Sequence, residues 1–262
     1  MARQRRIEAL MRSMGTCSVE FLSRELSVSD MTIRRDLRQL ADAGRVVRSH
    51  GGASQTESVR FEFQFLERAQ LNRQQKEEIG ATAAALVRDG QSVLLDSGTT
   101  TLALARHLRN RQGVTVITTS LPIAAALQCA RGVETLLLGG FVRRDSPDLG
   151  GALTEANLDS LRADLAFVGA DGLDLEGNAY NASIAVGQML SKMVTRAKDT
   201  YVVADSSKIG HTQLKKFGNA SDWRGLITDR EGRPNDYAAL RRAGVTVLRA
   251  EPLDKPEETG PA

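Results

Sequence analysis

Residues 27–52 read SVSDMTIRRDLRQLADAGRVVRSHGG, and this stretch predicts a capped helix followed by a short hairpin. Ser29 can cap the helix, because its hydroxyl can accept a hydrogen bond from a backbone N–H group of the first turn. Gly44 is expected to end the helix in a left-handed conformation. The basic segment 45–48 then predicts a strand, and 50–52 predict a turn. Three apolar residues recur at helical spacing and predict one buried face: Ile33, Leu37 and Leu40.

The other faces of this helix carry Arg34, Arg35 and Arg38. A guanidinium group stays charged and donates two parallel hydrogen bonds, which suits DNA phosphates and guanine edges. The alternative is an ordinary surface helix whose arginines are only solvated. The cap, the adjacent arginines and the basic hairpin together favour contact with DNA.

Two further helices are expected before this one. Residues 3–14 form an amphipathic pattern that Gly15 ends, and Ser18 is expected to begin a second helix. The apolar positions of the two helices are Ile7, Leu10, Met11, Met14, Phe21, Leu22 and Leu26. Three short helices with a tight turn before the third, followed by a hairpin, predict a winged helix-turn-helix.

The strings SDMTIRRDL (29–37) and RSHGGA (48–53) closely resemble the N-terminal domain of the DeoR family of bacterial transcriptional regulators. The resemblance implies that residues 29–38 are the recognition helix in the DNA major groove, with Thr32 and two arginines in contact with DNA. Asp36 is expected to orient a neighbouring arginine, because a carboxylate facing phosphates is unfavourable. The residues predicted to bind DNA are Ser29, Thr32, Arg34, Arg35, Arg38, Arg45, Arg48 and His50.

Charge is unevenly distributed along the 262 residues, which carry a formal net charge of +3. The first 50 residues hold ten arginines against six acidic residues, whereas the rest has 25 basic and 26 acidic residues. A basic N-terminal domain on a nearly neutral remainder indicates a polyanionic partner for that domain alone. Cys17 and Cys129 are isolated, so no zinc site is expected and both should be reduced, buried thiols. Neither a signal peptide nor a membrane-length apolar run is visible, and we expect a cytoplasmic protein.

From Lys76 onward, helical and strand patterns alternate, which predicts an α/β domain with a mostly parallel sheet covered on both faces. The predicted strands are 93–95, 114–118, 135–138, 165–168, 201–204, 226–228 and 245–248. The predicted helices are 79–87, 101–109, 121–130, 154–161, 184–197 and 235–243. The expected domains are a winged helix-turn-helix at 1–53, a linker at 54–72, an effector-binding and oligomerisation domain at 73–250 and a disordered tail at 251–262. Within the linker, Phe61, Phe63 and Phe65 alternate, which predicts extended chain with one apolar face.

Small polar loops follow five of the predicted strands, at the edge where open α/β sheets bind ligands. The loop 97–101 offers hydroxyls and backbone amides at a helix start, which suits a phosphate. Asp96, Asp171 and Lys208 suit sugar hydroxyls or a second charge. Neither a Rossmann glycine pattern nor a Walker loop is present, so nucleotides are disfavoured, and no cofactor or metal is expected. The predicted effector site comprises Asp96, Ser97, Gly98, Thr99, Thr100, Thr118, Thr119, Ser120, Gly139, Gly140, Asp171 and Lys208.

Several of these loops resemble the effector domain of DeoR-type regulators, namely DSGTT (96–100), the glycine pair at 139–140 and DSSKIG (205–210). The pattern FxxRxxxNxxxK at 65–76 resembles the linker of the same family. This resemblance implies sensing of a phosphorylated sugar or related metabolite, usually with release of DNA. Thr119 stands where many relatives carry asparagine.

Two other functions remain open alternatives. The loops GADG (169–172) and DSSK (205–208) also resemble ribose-5-phosphate isomerase, which needs a carboxylate base. Residues 177–198, where the catalytic glutamate of that enzyme is expected, contain neither Asp nor Glu, although Asp96 and Asp171 remain as possible bases. The second alternative is an architectural DNA-binding protein whose larger domain only oligomerises.

We predict a sequence-specific repressor of carbohydrate genes, not an enzyme, whose operator binding a phosphorylated sugar controls. One N-terminal domain offers one recognition helix, and specific sites are commonly read by two helices related by symmetry. A homo-oligomer, either a dimer or a tetramer, is therefore expected. Its partners are double-stranded operator DNA and the phosphorylated sugar, and no membrane contact is expected.

Overall fold

A computed structural model describes residues 2–43, 45–49, 51–55, 65–144 and 146–253. By contacts the chain divides into two compact units, Met1–Glu67 with Arg144–Ser146, and Arg68–Arg143 with Pro147–Ala262. We call the first unit the head and the second the body. The following predicted features lie outside the described residues: the cap at Gly44, the contact of His50, the phenylalanines 61 and 63, and the tail from residue 254 onward.

In its described residues the head has three helices and a small antiparallel sheet with strand order β1-β3-β2. The elements are α1 (Ala2–Met14), β1 (Thr16–Ser18), α2 (Val19–Glu25), α3 (Asp30–Asp42), β2 (Val46–Ser49) and β3 (Gly52–Gln55). The predicted winged helix-turn-helix is confirmed, but β1 was not predicted. A Cβ atom on Gly52 would lie 2.1 Å from the carbonyl oxygen of Cys17. Glycine at position 52 therefore permits the close approach of β1 and β3.

The core of the head is aliphatic, as the helical spacing predicted. Its buried side chains are Ile7, Met11, Cys17, Val19, Leu22, Ile33, Leu37, Leu40, Val46 and Ala53. Met14 is a correction, because its side chain is 54% exposed. It is the last residue of α1, immediately before Gly15 turns the chain at φ +74°. Of the two cysteines expected to be buried, Cys17 lies in this core, but Cys129 of the body is exposed.

Residues 65–70 form a helix, α4, where the alternation of phenylalanines predicted extended chain. The alternating pattern stops at Phe65, and the following sequence LERAQ consists of strong helix formers.

The body alternates helices with strands, as predicted, and most bounds lie within a few residues of the expected ones. The helices are α5 (Arg73–Ala85), α6 (Thr99–His107), α7 (Leu121–Leu127), α8 (Ala152–Asp159), α9 (Ile184–Thr195) and α10 (Pro234–Arg242), with a 3-10 turn at Ser206–Lys208. The strands are β4 (Ser92–Leu95), β5 (Val114–Thr118), β6 (Val133–Leu137), β7 (Phe141–Val142), β8 (Leu149–Gly150), β9 (Ala163–Gly169), β10 (Gly172–Leu173), β11 (Asn178–Asn181), β12 (Ala197–Val203), β13 (Lys215–Asn219), β14 (Gly225–Thr228) and β15 (Val247–Arg249).

Seven strands form one parallel sheet in the order β15-β14-β12-β9-β4-β5-β6. The parallel α/β fold is therefore confirmed. The chain runs outward from β4 through β5 to β6 and then returns to the other side of β4 with β9. This reversal places a topological switch point between β4 and β9, where such sheets bind ligands.

Two small antiparallel sheets were not predicted, namely the β7–β8 hairpin and the sheet β10-β11-β13. The strands of the hairpin are two residues long, too short to show a period in sequence. A close contact of α5 with α6 depends on Gly80, where a Cβ atom would lie 2.7 Å from the backbone nitrogen of Leu104. In the part of the chain that the structure describes, every helix is too short or too polar to span a bilayer.

Candidate functional site

Helix α3 begins as its sequence predicts. The Ser29 hydroxyl accepts a hydrogen bond from the backbone N–H of Thr32 at 3.3 Å, and the two hydroxyl oxygens are 3.0 Å apart. Ile33, Leu37 and Leu40 are at most 2% exposed. The cap and the buried face therefore fix which residues α3 presents to solvent.

Arg34, Arg35 and Arg38 lie on the exposed side of α3. Among the described residues, none of the ion pairs involves these three guanidinium groups. Helix α3 therefore carries three cations whose hydrogen-bond donors remain available to an external anion, as a recognition helix requires.

Two other arginines of the head are held by buried carboxylates. Asp36, 4% exposed, accepts hydrogen bonds from Arg3 of α1 at 2.5 and 3.2 Å. These bonds raise the pKa of the Arg3 guanidinium. Asp36 does orient an arginine, but its partner comes from α1 and not from α3. This pairing joins the first and third helices.

Arg45 was predicted to bind DNA, and the structure gives it a second role. Its guanidinium pairs with Glu8 through Nε to Oε1 at 2.6 Å and Nη2 to Oε2 at 3.0 Å. Glu8 is 5% exposed, so the pair is partly buried within the head. Of the remaining hairpin residues, Arg48 is exposed on β2.

In the body, the five predicted loops follow β12, β9, β4, β5 and β6, which are consecutive neighbours in the sheet. Asp96 lies at the centre, after β4. Its carboxylate accepts hydrogen bonds from the Thr101 hydroxyl and from the backbone N–H groups of Gly98 (3.0 Å) and Gly169 (2.8 Å). Burial raises the pKa of Asp96, although each of these hydrogen bonds acts to lower it. Asp96 therefore fastens its own loop to α6 and to the end of β9.

A cavity of about 230 Å³ opens beside Asp96 at this edge. Its polar lining is Asp96, Ser97, Thr119, Arg143, Asp148, Glu155 and Gln188. Its apolar lining comes mainly from α9 and from β8, with Val186, Met189, Leu190, Met193 and Leu149. A polar wall facing an apolar wall is typical of a small-molecule site.

The polar wall is centred on Asp148, which is 3% exposed. One oxygen of its carboxylate accepts a hydrogen bond from the Ser97 hydroxyl at 2.5 Å. The other lies 3.6 Å from Nε of Arg143. Two donors from different loops therefore meet on one oxyanion inside the cavity.

The predicted effector residues separate into groups. Asp96, Ser97 and Thr119 line the cavity. Thr118 and Ser120 are fully buried, and their hydroxyls accept hydrogen bonds from backbone N–H groups within the same loop and the first turn of α7. Gly98 caps α6, and Thr99 and Thr100 are its first two residues. The carbonyl of Gly139 accepts a hydrogen bond from the hydroxyl of Thr154.

The other predicted residues lie elsewhere in the body. Gly140 packs against Thr154 and Gly150. Asp171 accepts a hydrogen bond from the N–H of Ala182 at 3.1 Å. Lys208 is half-buried in the 3-10 turn. Neither Asp171 nor Lys208 lines the cavity beside Ser97.

Sequence reasoning missed Arg143, Asp148, Glu155 and Gln188. A signal was present in the polar segment 143–148, which follows the glycine pair. The β7–β8 hairpin returns this segment to the sheet, where Leu149 donates its N–H to the carbonyl of Thr119 at 2.9 Å. Because the strands of this hairpin are only two residues long, they show no period in the sequence, and the return of Asp148 to Ser97 was not visible there.

A winged helix-turn-helix joined to an α/β domain with a cavity at the carboxyl edge of its sheet is the architecture of a DNA-binding regulator with a sensor domain. Residues 3–59 match the DeoR-like helix-turn-helix domain, and residues 71–230 match the DeoR C terminal sensor domain. The chain belongs to the DeoR family of transcriptional regulators, as its motifs predicted.

The chain is 36% identical over 251 residues to a putative aga operon transcriptional repressor of Escherichia coli O157:H7, covering 94% of this chain and 92% of the relative. It is 31% identical over 258 residues to the lactose phosphotransferase system repressor of Lactococcus lactis subsp. lactis, covering 96% and 100%. Among solved structures, it is similar to ribose 5-phosphate isomerase A of Methanocaldococcus jannaschii, with 22% identity, a TM-score of 0.40, and coverage of 53% and 55%.

Proposed function

We propose that this protein is a repressor of carbohydrate genes whose operator affinity falls when a phosphorylated sugar occupies the cavity beside Ser97. The names of two relatives describe repressors of an aga operon and of a lactose phosphotransferase system. The observation that carries the proposal is the meeting of the Ser97 hydroxyl and the Arg143 guanidinium on the carboxylate of Asp148.

These donors already hold one oxyanion, so the site has the chemistry that binds another. A phosphate oxygen would compete with the Asp148 carboxylate for Ser97 and Arg143. The first turn of α6 lies directly after Ser97, and its cap, Gly98, has no side chain to satisfy the N–H groups there. Backbone amides and the helix dipole at such an end favour an anion.

The sugar portion would occupy the rest of the cavity. Glu155, Gln188 and the displaced Asp148 supply acceptors and donors for hydroxyl groups. The apolar wall from α9 suits the C–H faces of a sugar ring. The volume of about 230 Å³ lies below the roughly 300–1,000 Å³ usual for ligand pockets, so the cavity suits a small ligand of the monosaccharide phosphate class and not a larger one.

On the DNA side, we propose that Thr32, Arg34, Arg35, Arg38 and Arg48 contact the operator. Phosphates would position the head, and the α3 arginines would read guanines in the major groove. Because one chain supplies one recognition helix, we infer a homo-oligomer, and light scattering of the purified protein measures its mass. A regulator of this kind acts where the genome is, and we infer a cytoplasmic location.

We also infer that the protein is not an isomerase. The two carboxylates considered as bases both have internal partners. Asp96 accepts three hydrogen bonds from its own loops, and Asp171 accepts one from the N–H of Ala182. A base that moves a proton between carbons needs an oxygen directed at the substrate. Asp171 does not line the proposed cavity, and the carboxylate of Asp96, which does, is engaged by three donors of the protein.

A thermal-shift screen tests the proposed effector class. The probes are ribose 5-phosphate, glucose 6-phosphate, fructose 6-phosphate and glycerol 3-phosphate, each beside its unphosphorylated counterpart. A true effector stabilises the body by about 2.7 kcal/mol at 100 times its Kd. It should also lower operator affinity in a fluorescence anisotropy titration.

Stabilisation by the free sugar alone would remove the phosphate from the proposal. Stabilisation by a phosphorylated sugar without any change in operator affinity would leave a ligand site that does not regulate. Conversion of the probe, followed by NMR, would instead support an enzyme.

A further inference from the structure

The start of the body is attached to two of the loops at the carboxyl edge of the sheet. Between α4 and α5, Asn72 turns the chain in the left-handed conformation, with φ +52° and ψ +41°. Among the described residues other than glycine, only Ser27 shares a positive φ. Asparagine tolerates this conformation better than most residues, so the turn fits its sequence.

The side chain of Asn72 reaches the loop that follows β12. Its amide donates to Oδ1 of Asp205 at 3.0 Å and to Oγ of Ser207 at 3.4 Å. Asp205 is 2% exposed, which makes this bond largely shielded from water. The turn between α4 and α5 therefore has a direct hydrogen bond to one edge loop.

Lys76 and Arg68 extend this attachment. Lys76 is 6% exposed, and its ammonium group donates to the backbone carbonyls of Arg68 and Leu71 at the end of α4. A cation near the C-terminal end of a helix also interacts favourably with the helix dipole. Burial lowers the pKa of Lys76, while nearby Asp205 opposes that shift and Lys208 and Arg68 add to it.

Arg68 faces a second edge loop, the one that follows β9. Its Nη1 lies 3.7 Å from Oδ1 of Asp171, in an ion pair whose arginine is 64% exposed. Such a long, exposed pair is weak on its own. Arg68, Asn72 and Lys76 recur every four residues, and together they join one short segment to the loops that carry Asp171 and Lys208.

We propose that Arg68, Asn72 and Lys76 form a latch that holds the α4–α5 turn, at the start of the body, against the edge loops while operator DNA is bound, and that effector binding releases it. Asp171 and Lys208 belong to the predicted effector site, and the latch touches or neighbours both. The division of the chain into units falls between Glu67 and Arg68, at the first residue of the latch.

The proposal rests on the proposed function, since it assumes that an effector in the cavity beside Ser97 displaces the neighbouring loop after β9, whose Gly169 N–H donates to Asp96 of the cavity wall. An effector can shift an equilibrium only by binding two states differently. The latch supplies such a difference when ligand binding moves the edge loops, because Asn72 and Arg68 are bonded to Asp205 and Asp171 of those loops. Breaking the latch should therefore imitate the effector.

The test uses the full chain and no effector. Asn72→Gly removes the amide but keeps the left-handed turn, because glycine adopts positive φ without strain. Asn72→Asp keeps the size and places a carboxylate against Asp205. The DNA probe is a duplex that the wild-type chain selects from a random-sequence pool. We expect both variants to lower operator affinity by about fivefold or more, the usual range of allosteric coupling.

Hydrogen–deuterium exchange supplies the local measurement. Amides of residues 68–76 should exchange faster in both variants, while those of α3 stay unchanged. The control is Asn178→Ala, which removes a 2.8 Å amide-to-carboxylate bond to Asp174 elsewhere in the body. This control should change neither operator affinity nor exchange at 68–76.

Unchanged or raised operator affinity in both folded variants would overturn the latch, even if sugar phosphates bind the wild type. Failure of every sugar phosphate to bind would instead count against the proposed function. The operator affinities of the Asn72 variants, measured without effector, would still test whether the latch supports DNA binding. Circular dichroism establishes that each variant is folded.

Discussion

The exposed face of α3 and the carboxyl edge of the body use their polar side chains in opposite ways. On α3, Arg34, Arg35 and Arg38 are exposed, and none of the ion pairs among the described residues includes them. At the edge, Asp96 and Ser97 are already engaged with groups of their own domain.

This difference follows from what each surface must recognise. DNA is a large polyanion that approaches from solvent, so an exposed cation on a rigid helix meets it without rearrangement. Under the proposed function, a small metabolite displaces the internal partner of Ser97 and thereby changes the protein. Displacing Asp148 from Ser97 is a change that ligand binding can couple to the rest of the protein, because the two states then differ in their affinity for the ligand.

The largest effect should come from Arg34→Ala combined with Arg35→Ala. Operator affinity should fall at least about 30-fold, since each bidentate arginine–guanine contact contributes about 1–3 kcal/mol. Fluorescence anisotropy measures the affinity, and the thermal shift caused by an effector should not change.

The charge-matched control is Arg241→Ala combined with Arg242→Ala, in the last turn of α10. It removes the same net charge from the body and should leave operator affinity nearly intact. Equal losses in the two double variants would mean that general charge, and not the α3 face, governs binding.

A smaller effect is expected from Ser97→Ala at the edge. Effector affinity should fall about tenfold or more, because a hydrogen bond to a charged group contributes about 1.5–3 kcal/mol. Titration of the sugar phosphate that stabilises the wild type measures the change, and operator affinity without effector should persist. The control is Ser160→Ala, which removes a hydroxyl that only bonds to the carbonyl of Asn157. An effector that binds Ser97→Ala as tightly as wild type would place the phosphate elsewhere.

The smallest effect concerns the opposite end of the sheet, where Asp164 joins the start of β9 to the start of β4. Its carboxylate accepts two hydrogen bonds of 2.8 Å from the N–H and hydroxyl of Ser92, and they lower the pKa of Asp164 below its usual 3.8. The lowered pKa means that the ionised group stabilises the fold above pH 3.8, and that this contribution is lost as the pH falls through the folded value.

Asp164→Asn should therefore lower the Tm at pH 7, and the difference from wild type should shrink in acid. Differential scanning calorimetry across this pH range measures both. Ser92→Ala removes the hydroxyl bond but keeps the backbone N–H bond, so it should show the same pattern with a smaller amplitude. A difference that stays constant into acid would show that ionisation of Asp164 is irrelevant to stability.

Most of the head could be predicted from sequence because its signals are local. Ser29 caps the residues that follow it, and the spacing of Ile33, Leu37 and Leu40 fixes the buried face. The unpredicted strand β1 has three residues and exists through pairing with β3, whose Gly52 allows the approach.

The body shows where this reasoning stops. Strand and helix order, and hence the edge at which loops gather, follow from alternating apolar runs. The partner of Ser97 does not follow from them, because Asp148 lies 51 residues away and returns through a hairpin whose strands have only two residues each. The ion pair of Arg45 with Glu8, 37 residues earlier in the chain, likewise exists only in the folded head.

The sequence by itself determined the winged helix-turn-helix, the parallel sheet, the family and the arginines of α3, because periodicity, caps and helix faces act over a few residues. Only the tertiary structure decided which polar groups stay available and which are engaged, including the Asn72 bond to Asp205 across 133 residues. Such pairings depend on strand order and crossover geometry, which bring together groups whose distance along the chain carries no signal.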